Sequence, residues 1–319
     1  MRNVLVTGGA GFLGSHLVER LLADGDRLVV LDNLSTGTRE HVPADVELVE
    51  ADIADEDAVA RVFEGGRFDV VFHVAGQASI AQSFARPHRD LRTNVEGTIN
   101  VIEACVASGV PRLVYASSMT VYGEPEEVPT PETVPCRPVS YYGVTKYAAE
   151  RYVHVAGART DVDLSVTSLR MFNVYGERQS LTNPYQGVLA IFIGNVQRGE
   201  PVTIHSDGSQ TRDFVYVVDV VDAWLRVAGD ESTRGAVYNV GSGRETSIAE
   251  LVDAVLAAWR TPREGYDVRT GPAQLGDIRR SAADISALQA ATGWAPATSL
   301  GEGVRRTVEW AAAPRQRAV

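Results

Sequence analysis

The stretch Val4-Leu5-Val6-Thr7-Gly8-Gly9-Ala10-Gly11-Phe12-Leu13-Gly14, near the start of the chain, decides the fold. It begins as a short apolar strand, and residues 15–23 continue it with apolar side chains at helical spacing. In the turn between them, Gly8 permits a tight bend, Gly11 lets a pyrophosphate approach the backbone, and Gly14 allows the helix to pack closely on the strand. Free N–H groups at the start of this helix favour an anion. The alternative is a glycine-rich turn that binds nothing.

Outward from this segment, apolar runs alternate with helical patterns. Residues 28–31, 46–49, 70–74, 113–116 and 164–169 are predicted strands, and residues 55–63, 95–107 and 142–156 are predicted helices. Buried strands joined by crossover helices predict a parallel sheet with helices on both faces. The fold class is therefore α/β, a Rossmann-type doubly wound parallel sheet.

The pattern changes after Asn173, where prolines, glycines and longer connections appear. We expect residues 1–173 to form the nucleotide-binding Rossmann domain, with segments at about 212–245 returning to it. Residues 174–310 would form a smaller C-terminal substrate lobe. Residues 311–319, rich in Ala, Pro and Arg, are expected to be a frayed tail.

Composition excludes several classes of function. A net charge of −11 over 319 residues argues against nucleic acid and anionic membranes as partners. No apolar run reaches the roughly 18 residues needed to span a bilayer. The first strand begins so early that it leaves no room for a signal peptide. Neither the two cysteines nor the histidines have metal-ligand spacing. We therefore expect a cytoplasmic protein without a metal.

An acidic residue ends the second predicted strand. Asp32 lies 18 residues after Gly14, where a carboxylate can accept both ribose hydroxyls of an adenosine and would repel a 2′-phosphate. The nearest arginine is Arg39, so NAD is favoured over NADP. Asp52 and Ile53 end the third strand, where the adenine would lie, although Asp52 could instead cap the next helix.

Tyr142 and Lys146 are four residues apart on one predicted helix and therefore share a face. A tyrosine hydroxyl with a pKa of about 10 is a poor base near neutral pH. A nearby ammonium, together with a nicotinamide cation, is expected to lower that pKa. Ser118 follows the fifth strand and could hydrogen-bond a substrate oxygen. The three residues are the predicted catalytic group, although a Tyr and Lys at this spacing are common by chance.

Several motifs together resemble one family. They are the glycine-rich turn, His73-Val74-Ala75-Gly76, Asn94-Val95-Glu96-Gly97-Thr98, Tyr142-Gly143-Val144-Thr145-Lys146, Arg170-Met171-Phe172-Asn173-Val174-Tyr175-Gly176 and Arg212-Asp213-Phe214-Val215-Tyr216-Val217. Residues 4–310 resemble the extended short-chain dehydrogenase/reductases, within the NAD-dependent nucleotide-sugar epimerase/dehydratase family. The motifs are specific for this family and much less specific for its substrates.

The resemblance implies both ligand sites. NAD is expected to contact Gly8, Gly11, Phe12, Leu13, Gly14, Asp32, Asn33, Leu34, Ser35, Thr36, Gly37, Asp52, Ile53, Val74, Ala75, Gly76, Gln77, Thr93, Ser117, Tyr142, Lys146 and Phe172. The nucleotide sugar is expected to contact Ser118, Met119, Thr120, Tyr142, Asn173, Val188, Leu189, Thr203, His205, Arg212, Gln274, Asp277 and Ser281. For Arg212, the competing interpretation is a surface ion pair with Asp213 or Asp207.

The residues after Ser118 indicate the reaction within the family. Family members that dehydrate or decarboxylate the sugar carry acidic residues there, whereas this chain has Met119 and Thr120, which cannot act as carboxylate bases. The resemblance is strongest to the UDP-sugar 4-epimerases, isomerases that interconvert UDP-glucose and UDP-galactose through a transient 4-keto sugar. Tyr142 would move the 4-hydroxyl proton in both directions.

Two departures concern the sugar nucleotide. Gln274 occupies a position where an arginine often holds the diphosphate, and Arg279 or Arg280 could compensate. Ser281 occupies a position where a tyrosine crowds the sugar in some relatives, which leaves room for an N-acetyl group at C2. The resemblance thus implies that the N-acetylated pair is also accepted.

Other interpretations stay open at this point. One is a different family enzyme that acts on UDP-glucuronate or on a GDP- or dTDP-sugar. Another is a non-catalytic NAD-binding regulator, against which the intact trio of Ser118, Tyr142 and Lys146 argues. A homodimer formed by helices near residues 94–107 and 142–156 is expected from the family alone.

Overall fold

Buried strands organise the molecule, a computed structural model that describes residues 1–183, 187–273 and 278–313. The strands are β1 (Asn3–Thr7), β2 (Arg27–Asp32), β3 (Glu47–Glu50), β4 (Val70–His73), β5 (Arg112–Ser118), β6 (Ser165–Met171), β7 (Asn173–Tyr175), β8 (Val202–His205), β9 (Thr211–Arg212), β10 (Phe214–Tyr216), β11 (Val237–Val240), β12 (Thr246–Ser247) and β13 (Val268–Gly271). Seven of them form one parallel sheet in the order β11-β6-β5-β4-β1-β2-β3.

Helices connect these strands. They are α1 (Phe12–Ala23), α2 (Glu56–Glu64), α3 (Ile80–Ala85), α4 (Pro87–Leu91), α5 (Gly97–Ala107), α6 (Tyr141–Gly157), α7 (Val188–Arg198), α8 (Val217–Gly229), α9 (Ile248–Ala258), α10 (Ser286–Thr292) and α11 (Leu300–Ala312). A π-helical turn, Arg92–Glu96, joins α4 to α5, and short 3₁₀ turns lie at Arg39–His41, Met119–Val121 and Glu231–Thr233.

The sheet carries a helical layer on each face. Alternate residues of β1 show this, because Val4 and Val6 pack with α1 and α8, whereas Leu5 packs in the core that α2, α5 and α6 share. Every residue of β4 and β5 is buried, as parallel strands covered on both faces require. The predicted doubly wound α/β fold is confirmed. The strand order reverses between β1 and β4, so a crevice opens there at the carboxyl ends of the strands.

The remaining elements form a smaller body with its own core. Tyr175, Phe192 and Leu251 belong to this core, which α7, α9, α11 and β8 build. Strand β8 pairs with β13, β7 with β10, and β9 with β12. From the segment 212–245, β11 pairs with β6 and so extends the main sheet.

Two boundaries differ from the sequence expectation. The helix predicted from residue 95 is preceded by α4 and the π-helical turn, because Pro87 starts a helix at the position where proline is favoured. The tail was expected to fray from residue 311, but α11 continues to Ala312, since Ala311 is buried against the lobe core. Residues 314–319 lie outside the described residues.

Among the helices of the described residues, none combines the length and apolar character that crossing a membrane requires.

Candidate active site

The glycine-rich turn is fixed by contacts that exclude side chains. Gly8 has φ +72°, and a Cβ there would lie 2.7 Å from the Ala75 nitrogen on the neighbouring strand end. A Cβ on Gly14 would lie 2.1 Å from the Gly8 carbonyl oxygen. Both positions therefore require glycine, which brings the N-terminus of α1 directly against the end of β1.

This helix start suits a pyrophosphate. Gly11, the N-cap of α1, has no side chain that could bond the first-turn N–H groups, and no acidic side chain lies in the first turn. The first-turn N–H groups, which include those of Phe12 and Leu13, need acceptors that phosphate oxygens would supply. The residues present therefore fit the diphosphate of NAD.

Asp32 ends β2 beside that turn and is buried. One carboxylate oxygen accepts the Ala10 N–H at 3.0 Å, and the other accepts the Leu34 N–H at 2.8 Å. Burial raises its pKa, and these two bonds oppose that shift. Each oxygen keeps a second acceptor site, as a ribose diol requires. The carboxylate is thus held in place by the backbone at the carboxyl end of the sheet.

The loop after β2 folds onto the glycine-rich turn. A Cβ on Gly37 would lie 2.6 Å from the Ala10 carbonyl, so the loop passes in direct contact with the turn. Leu34 has φ +53°, and the Asn33 side chain accepts the Ser35 N–H at 3.0 Å. Ser35 and Thr36 are exposed. The structure therefore gathers the predicted residues 33–37 at one edge of the crevice.

Asp52 is not a helix cap. Asp55 is the N-cap of α2 and accepts the Ala58 N–H. Asp52 instead accepts bonds from the Ala54 N–H at 2.9 Å and from the Asn33 side chain at 3.0 Å. The structure thus removes the capping alternative and links Asp52 to the β2 loop. The neighbouring Ile53 side chain is buried in the core beside Gly97.

The loop after β4, residues 74–77, runs past Lys146. A Cβ on Gly76 would lie 3.6 Å from Lys146 Nζ. The Ala75 N–H donates to Thr7 Oγ1 at 3.2 Å, and the Gln77 N–H donates to Asn94 Oδ1 at 2.9 Å. Thr93, in the π-helical turn, is half-buried. The loop therefore lies between the cofactor crevice and α6.

Ser118, Tyr142 and Lys146 come together where β5 ends and α6 begins. The Ser118 side chain acts on the Tyr142 hydroxyl and lowers its pKa, against the larger effect of burial. Thr120 Oγ1 donates to Ser118 Oγ at 3.0 Å. Gly143 allows the close approach, because a Cβ there would lie 2.6 Å from the Thr120 carbonyl oxygen. Tyr142 and Lys146 are both buried and lie one helical turn apart on α6, which packs against the strand β5 that ends at Ser118.

Burial is the largest influence on the pKa values of Tyr142 and Lys146. Burial raises the pKa of Tyr142 to about 12, although the hydrogen bond with Ser118 acts in the opposite direction. Burial lowers the pKa of Lys146 to about 7, opposed by the charges of Asp90 and Glu150. The expectation that an ammonium and a nicotinamide cation together lower the Tyr142 pKa stays a prediction, and burial of the phenolate is the effect that these two charges must outweigh.

A buried ion pair lies beside the trio. Arg170 of β6 donates two hydrogen bonds to Glu150 of α6, at 2.6 and 3.0 Å. Ser117 Oγ donates to the same carboxylate at 2.6 Å. The Ser117 side chain is therefore engaged away from the crevice. Sequence analysis quoted Arg170 only as a motif residue and missed Glu150, which lies four residues after Lys146 on the same helix.

Sequence analysis also missed Asp90. This carboxylate is buried, and it accepts hydrogen bonds from Gln77 and Thr145. The available signal was its spacing, four residues before Asn94 in a helical segment. Its contact with Thr145 spans 55 residues of chain, which no local pattern predicts.

Two predicted ligand contacts follow β6, Phe172 for NAD and Asn173 for the nucleotide sugar. Phe172 is buried with Met119, Tyr122 and Ala283. Asn173 Oδ1 is buried and has no hydrogen-bond partner among the described residues, so it is an acceptor that needs a donor. The hydroxyls of a UDP-sugar can donate a hydrogen bond, whereas its diphosphate carries no donor. Asn173 Oδ1 can therefore bind a hydroxyl of this ligand but not its phosphates.

Helix α7 starts the predicted nucleotide-binding part of the lobe. Val188 is half-buried, whereas the Leu189 side chain is buried in the lobe core. Leu189 can therefore reach a ligand only through its backbone at the helix start, where the N-cap Gly187 provides no side-chain bond.

Thr203 and His205 lie on the same, half-buried face of β8. His205 Nδ1 lies 2.9 Å from the Pro272 carbonyl oxygen. Arg212 donates to the carbonyl oxygens of Ile278 at 2.8 Å and Thr211 at 2.6 Å. His205 thus contacts Pro272 and Arg212 contacts Ile278, whereas Thr203 pairs with Arg269 of β13.

Ser281 is buried, and its hydroxyl has no partner among the described residues. Its N–H donates to Thr211 Oγ1 at 3.4 Å. Arg280 pairs with Glu245 at 2.6 Å. Gln274 and Asp277 lie outside the described residues. Within the described ranges, no group of three potential ligands could hold a metal ion.

Known proteins share this architecture over nearly the whole chain. A UDP-glucose 4-epimerase of Mycolicibacterium smegmatis is 42% identical over 96% of this chain and 97% of its own. The UDP-glucose 4-epimerase of Thermotoga maritima, solved with UDP-glucose, is 39% identical with a TM-score of 0.91, covering 97% of this chain and 98% of its own.

The Thermus thermophilus UDP-glucose 4-epimerase, solved with NAD, is 41% identical with a TM-score of 0.90. The likeness covers 98% of this chain and 100% of that one. The family model described as the NAD dependent epimerase/dehydratase family matches residues 4–241. The chain belongs to this NAD-dependent family, as the glycine-rich turn and the Tyr142 cluster indicated.

Proposed function

We propose that this protein is an NAD-dependent UDP-sugar 4-epimerase that interconverts UDP-glucose and UDP-galactose. The observation that carries the proposal is the cluster of Ser118, Tyr142 and Lys146 at the carboxyl end of the sheet. Relatives at 39–42% identity over nearly the full length carry the same activity in their names, which supports it. Epimerisation makes the protein an isomerase.

The proposed reaction uses one proton carrier. Tyr142 takes the proton of the sugar 4-hydroxyl and returns it after the 4-keto sugar has presented its other face. Asp32 and the N-terminus of α1 would hold NAD, which would supply the redox chemistry at the sugar C4 and a positive charge on its nicotinamide. Ser118 hydrogen-bonds the reacting oxygen. Lys146 adds a second positive charge near Tyr142, so that the phenolate becomes accessible at neutral pH.

The residues after Ser118 support a reaction in which one sugar carbon is oxidised and then reduced again, with no further step. Met119 and Thr120 follow it, and Thr120 Oγ1 donates its hydrogen bond to Ser118. Neither residue has the carboxylate that the dehydrating and decarboxylating members of the family carry after this serine. The geometry therefore favours epimerisation over the other reactions of the family.

Removal of the Tyr142 hydroxyl tests the proposed proton transfer. Tyr142→Phe should lower kcat for UDP-galactose at least about 10²-fold, because general acid–base catalysis contributes that much. Tyr152→Phe, an exposed tyrosine on the same helix, should leave kcat unchanged. Purified protein without added NAD is incubated with UDP-galactose, and UDP-glucose is followed by chromatography. A wild-type protein inactive on UDP-galactose, even with NAD added, would overturn the proposal.

Ser281 suggests that N-acetylated sugars are substrates as well. Its side chain is small, and its buried hydroxyl has no partner among the described residues. A tyrosine at this position should fill the space beside the sugar C2 substituent. We expect Ser281→Tyr to abolish turnover of UDP-N-acetylgalactosamine while turnover of UDP-galactose changes less than tenfold. No turnover of the N-acetylated sugar by the wild-type protein would contradict this extension.

The domain roles belong to the same proposal. Residues 1–173, together with the returning strand β11, hold NAD, and residues 174–310 mainly hold the uridine diphosphate. The enzyme works in the cytoplasm, which its two free cysteines suit. It forms a homodimer through α5 and α6, since α6 exposes apolar side chains on its outer face.

A further inference from the structure

A buried carboxylate joins three elements beside the catalytic lysine. Asp90 of α4 is 1% exposed. Its Oδ1 accepts the side-chain amides of Gln77 at 2.6 Å and Asn94 at 3.3 Å, and its Oδ2 accepts the hydroxyl of Thr145 at 2.6 Å. The three donors belong to the loop after β4, the π-helical turn and α6. Asp90 therefore fixes the cofactor loop against the helix that carries the catalytic residues.

Few charged groups face Asp90 from these elements. Helix α3 carries no charged side chain. In the π-helical turn, Arg92 and Glu96 are exposed and pair with each other at 3.7 Å. His88 and Arg89, on α4 itself, are exposed. Among the described residues, the buried cation whose charge acts on Asp90 is Lys146 of α6, which follows Thr145 directly.

Lys146 depends on this carboxylate more than on its other neighbours. Its Nζ lies 4.4 Å from the centre of the Tyr115 ring, which offers only a cation–π contact. Glu150 also attracts it, but both Glu150 oxygens accept hydrogen bonds from Arg170. Asp90 has no such arginine partner among the described residues, so its negative charge is left for Lys146.

We propose that Asp90 is a positioning residue of the epimerase site, which holds Lys146 as a cation at a fixed place beside Tyr142. This inference rests on the proposed function, because it assigns Asp90 to the reaction of Tyr142 and Lys146. Asp90 itself touches no reacting atom; it acts through the Thr145 hydroxyl and through its charge.

The direction of the effect follows from the sign of the charge. The Asp90 carboxylate raises the pKa of Lys146 and also that of Tyr142, since a negative charge favours the protonated form of both. Turnover requires Tyr142 as a base and Lys146 as a cation. Removal of the charge should therefore move both limbs of the pH profile of kcat toward acid.

Asp90→Asn tests the proposal, because it removes the charge and keeps a side chain of the same shape. We expect the kcat profile for UDP-galactose to shift by about one pH unit toward acid, with KM changed less than threefold. Asp219→Asn is the matched control, a buried aspartate of α8 that accepts bonds from Thr298 far from Lys146. It should leave the profile in place.

The holoprotein also permits a readout without substrate. The tyrosinate absorbance of the NAD-bound protein is titrated with Tyr142→Phe as the blank, and the Tyr142 transition should move to lower pH in Asp90→Asn. If this variant does not fold, Asp90→Ser removes the same charge and should give the same shift. An active wild-type enzyme whose profile and titration are unchanged in the variants overturns the inference. If the wild-type protein is inactive but the Tyr142 transition still shifts in Asp90→Asn, only the proposed function is overturned.

Discussion

At the scale of the residue, Gly14 shows how little space separates the cofactor turn from the first helix. A methyl group there would lie 2.1 Å from a backbone oxygen, which cannot move without opening the turn at Gly8. The same turn positions Ala10, whose N–H binds Asp32. One glycine therefore supports both the diphosphate end and the ribose end of the NAD site.

We expect Gly14→Ala to lose bound NAD and to lower the melting temperature of the protein. Gly66→Ala is the matched control, since a Cβ at Gly66 has nothing within 4 Å and its backbone is not in the left-handed region. The control should be neutral or slightly stabilising, because alanine restricts the unfolded chain. The ratio of bound NAD to protein after purification measures the first effect and calorimetry the second. Equal NAD content in both variants would contradict the assigned role of Gly14.

Local spacing explains which site residues could be predicted. Asp32 was found because it ends an apolar run at a fixed distance from the glycines, and Tyr142 and Lys146 because they lie one helical turn apart. Asp90 and Glu150 were missed because their partners are distant in sequence: Asp90 bonds Thr145, and Glu150 bonds Arg170. The high pKa of Tyr142 also depends on burial, which spacing alone does not reveal.

At the scale of the element, the pair Arg170–Glu150 joins β6 to α6 beneath the catalytic residues. Their side chains are 7% and 2% exposed, respectively. Arg170 also donates to the Tyr122 hydroxyl at 3.0 Å, and that hydroxyl donates to Asn239 of β11 at 2.7 Å. The network thus connects two sheet strands, a loop and the catalytic helix, so that α6 cannot shift without breaking several bonds.

Arg170→Met should destabilise the protein by about 3–5 kcal/mol, because it leaves Glu150 as an uncompensated buried charge. Arg20→Met is the control, since Arg20 and Asp24 form an exposed pair on α1 whose loss should cost about 0.5 kcal/mol or less. Urea unfolding of both variants measures the difference. Similar losses in the two variants would show that the buried pair contributes no more than a surface pair.

Apolar periodicity predicted the longer helices and strands. The predicted strands of the sheet and the helices α2 and α6 agree with the structure to within one or two residues. The short α4 and the π-helical turn were not predicted, because five-residue helices carry too few apolar positions to show a period. Asp90 and Asn94 lie in those two elements. The predicted site was therefore incomplete because elements this short show no apolar period.

At the scale of the whole molecule, one carboxylate connects the two bodies. Asp213 is fully buried and accepts bonds from Ser242, Gly243 and Ala283. It thereby ties the segment that carries Ser281 to the loop that leaves the main sheet after β11. Chain from the second half of the sequence therefore joins the smaller body to the edge of the main sheet.

The outer face of α6 exposes apolar side chains. Tyr141, Val144, Tyr152 and Val155 are between 48% and 59% exposed, and their spacing places them on one face of the helix. An exposed apolar stripe of this kind indicates a protein interface, and a second copy of the chain would cover it by pairing α6 with α6.

Charged residues in that stripe should separate the copies. We expect Tyr152→Glu combined with Val155→Glu to convert a dimer into a monomer, because a twofold axis would bring four carboxylates into one apolar contact. Val218→Glu is the control, an exposed apolar residue of α8 on the opposite helical layer, and it should leave the dimer intact. Sedimentation velocity distinguishes the two masses. A wild-type monomer, or a dimer that survives the double substitution, would place the interface elsewhere or remove it, because the α6 stripe would then bury nothing.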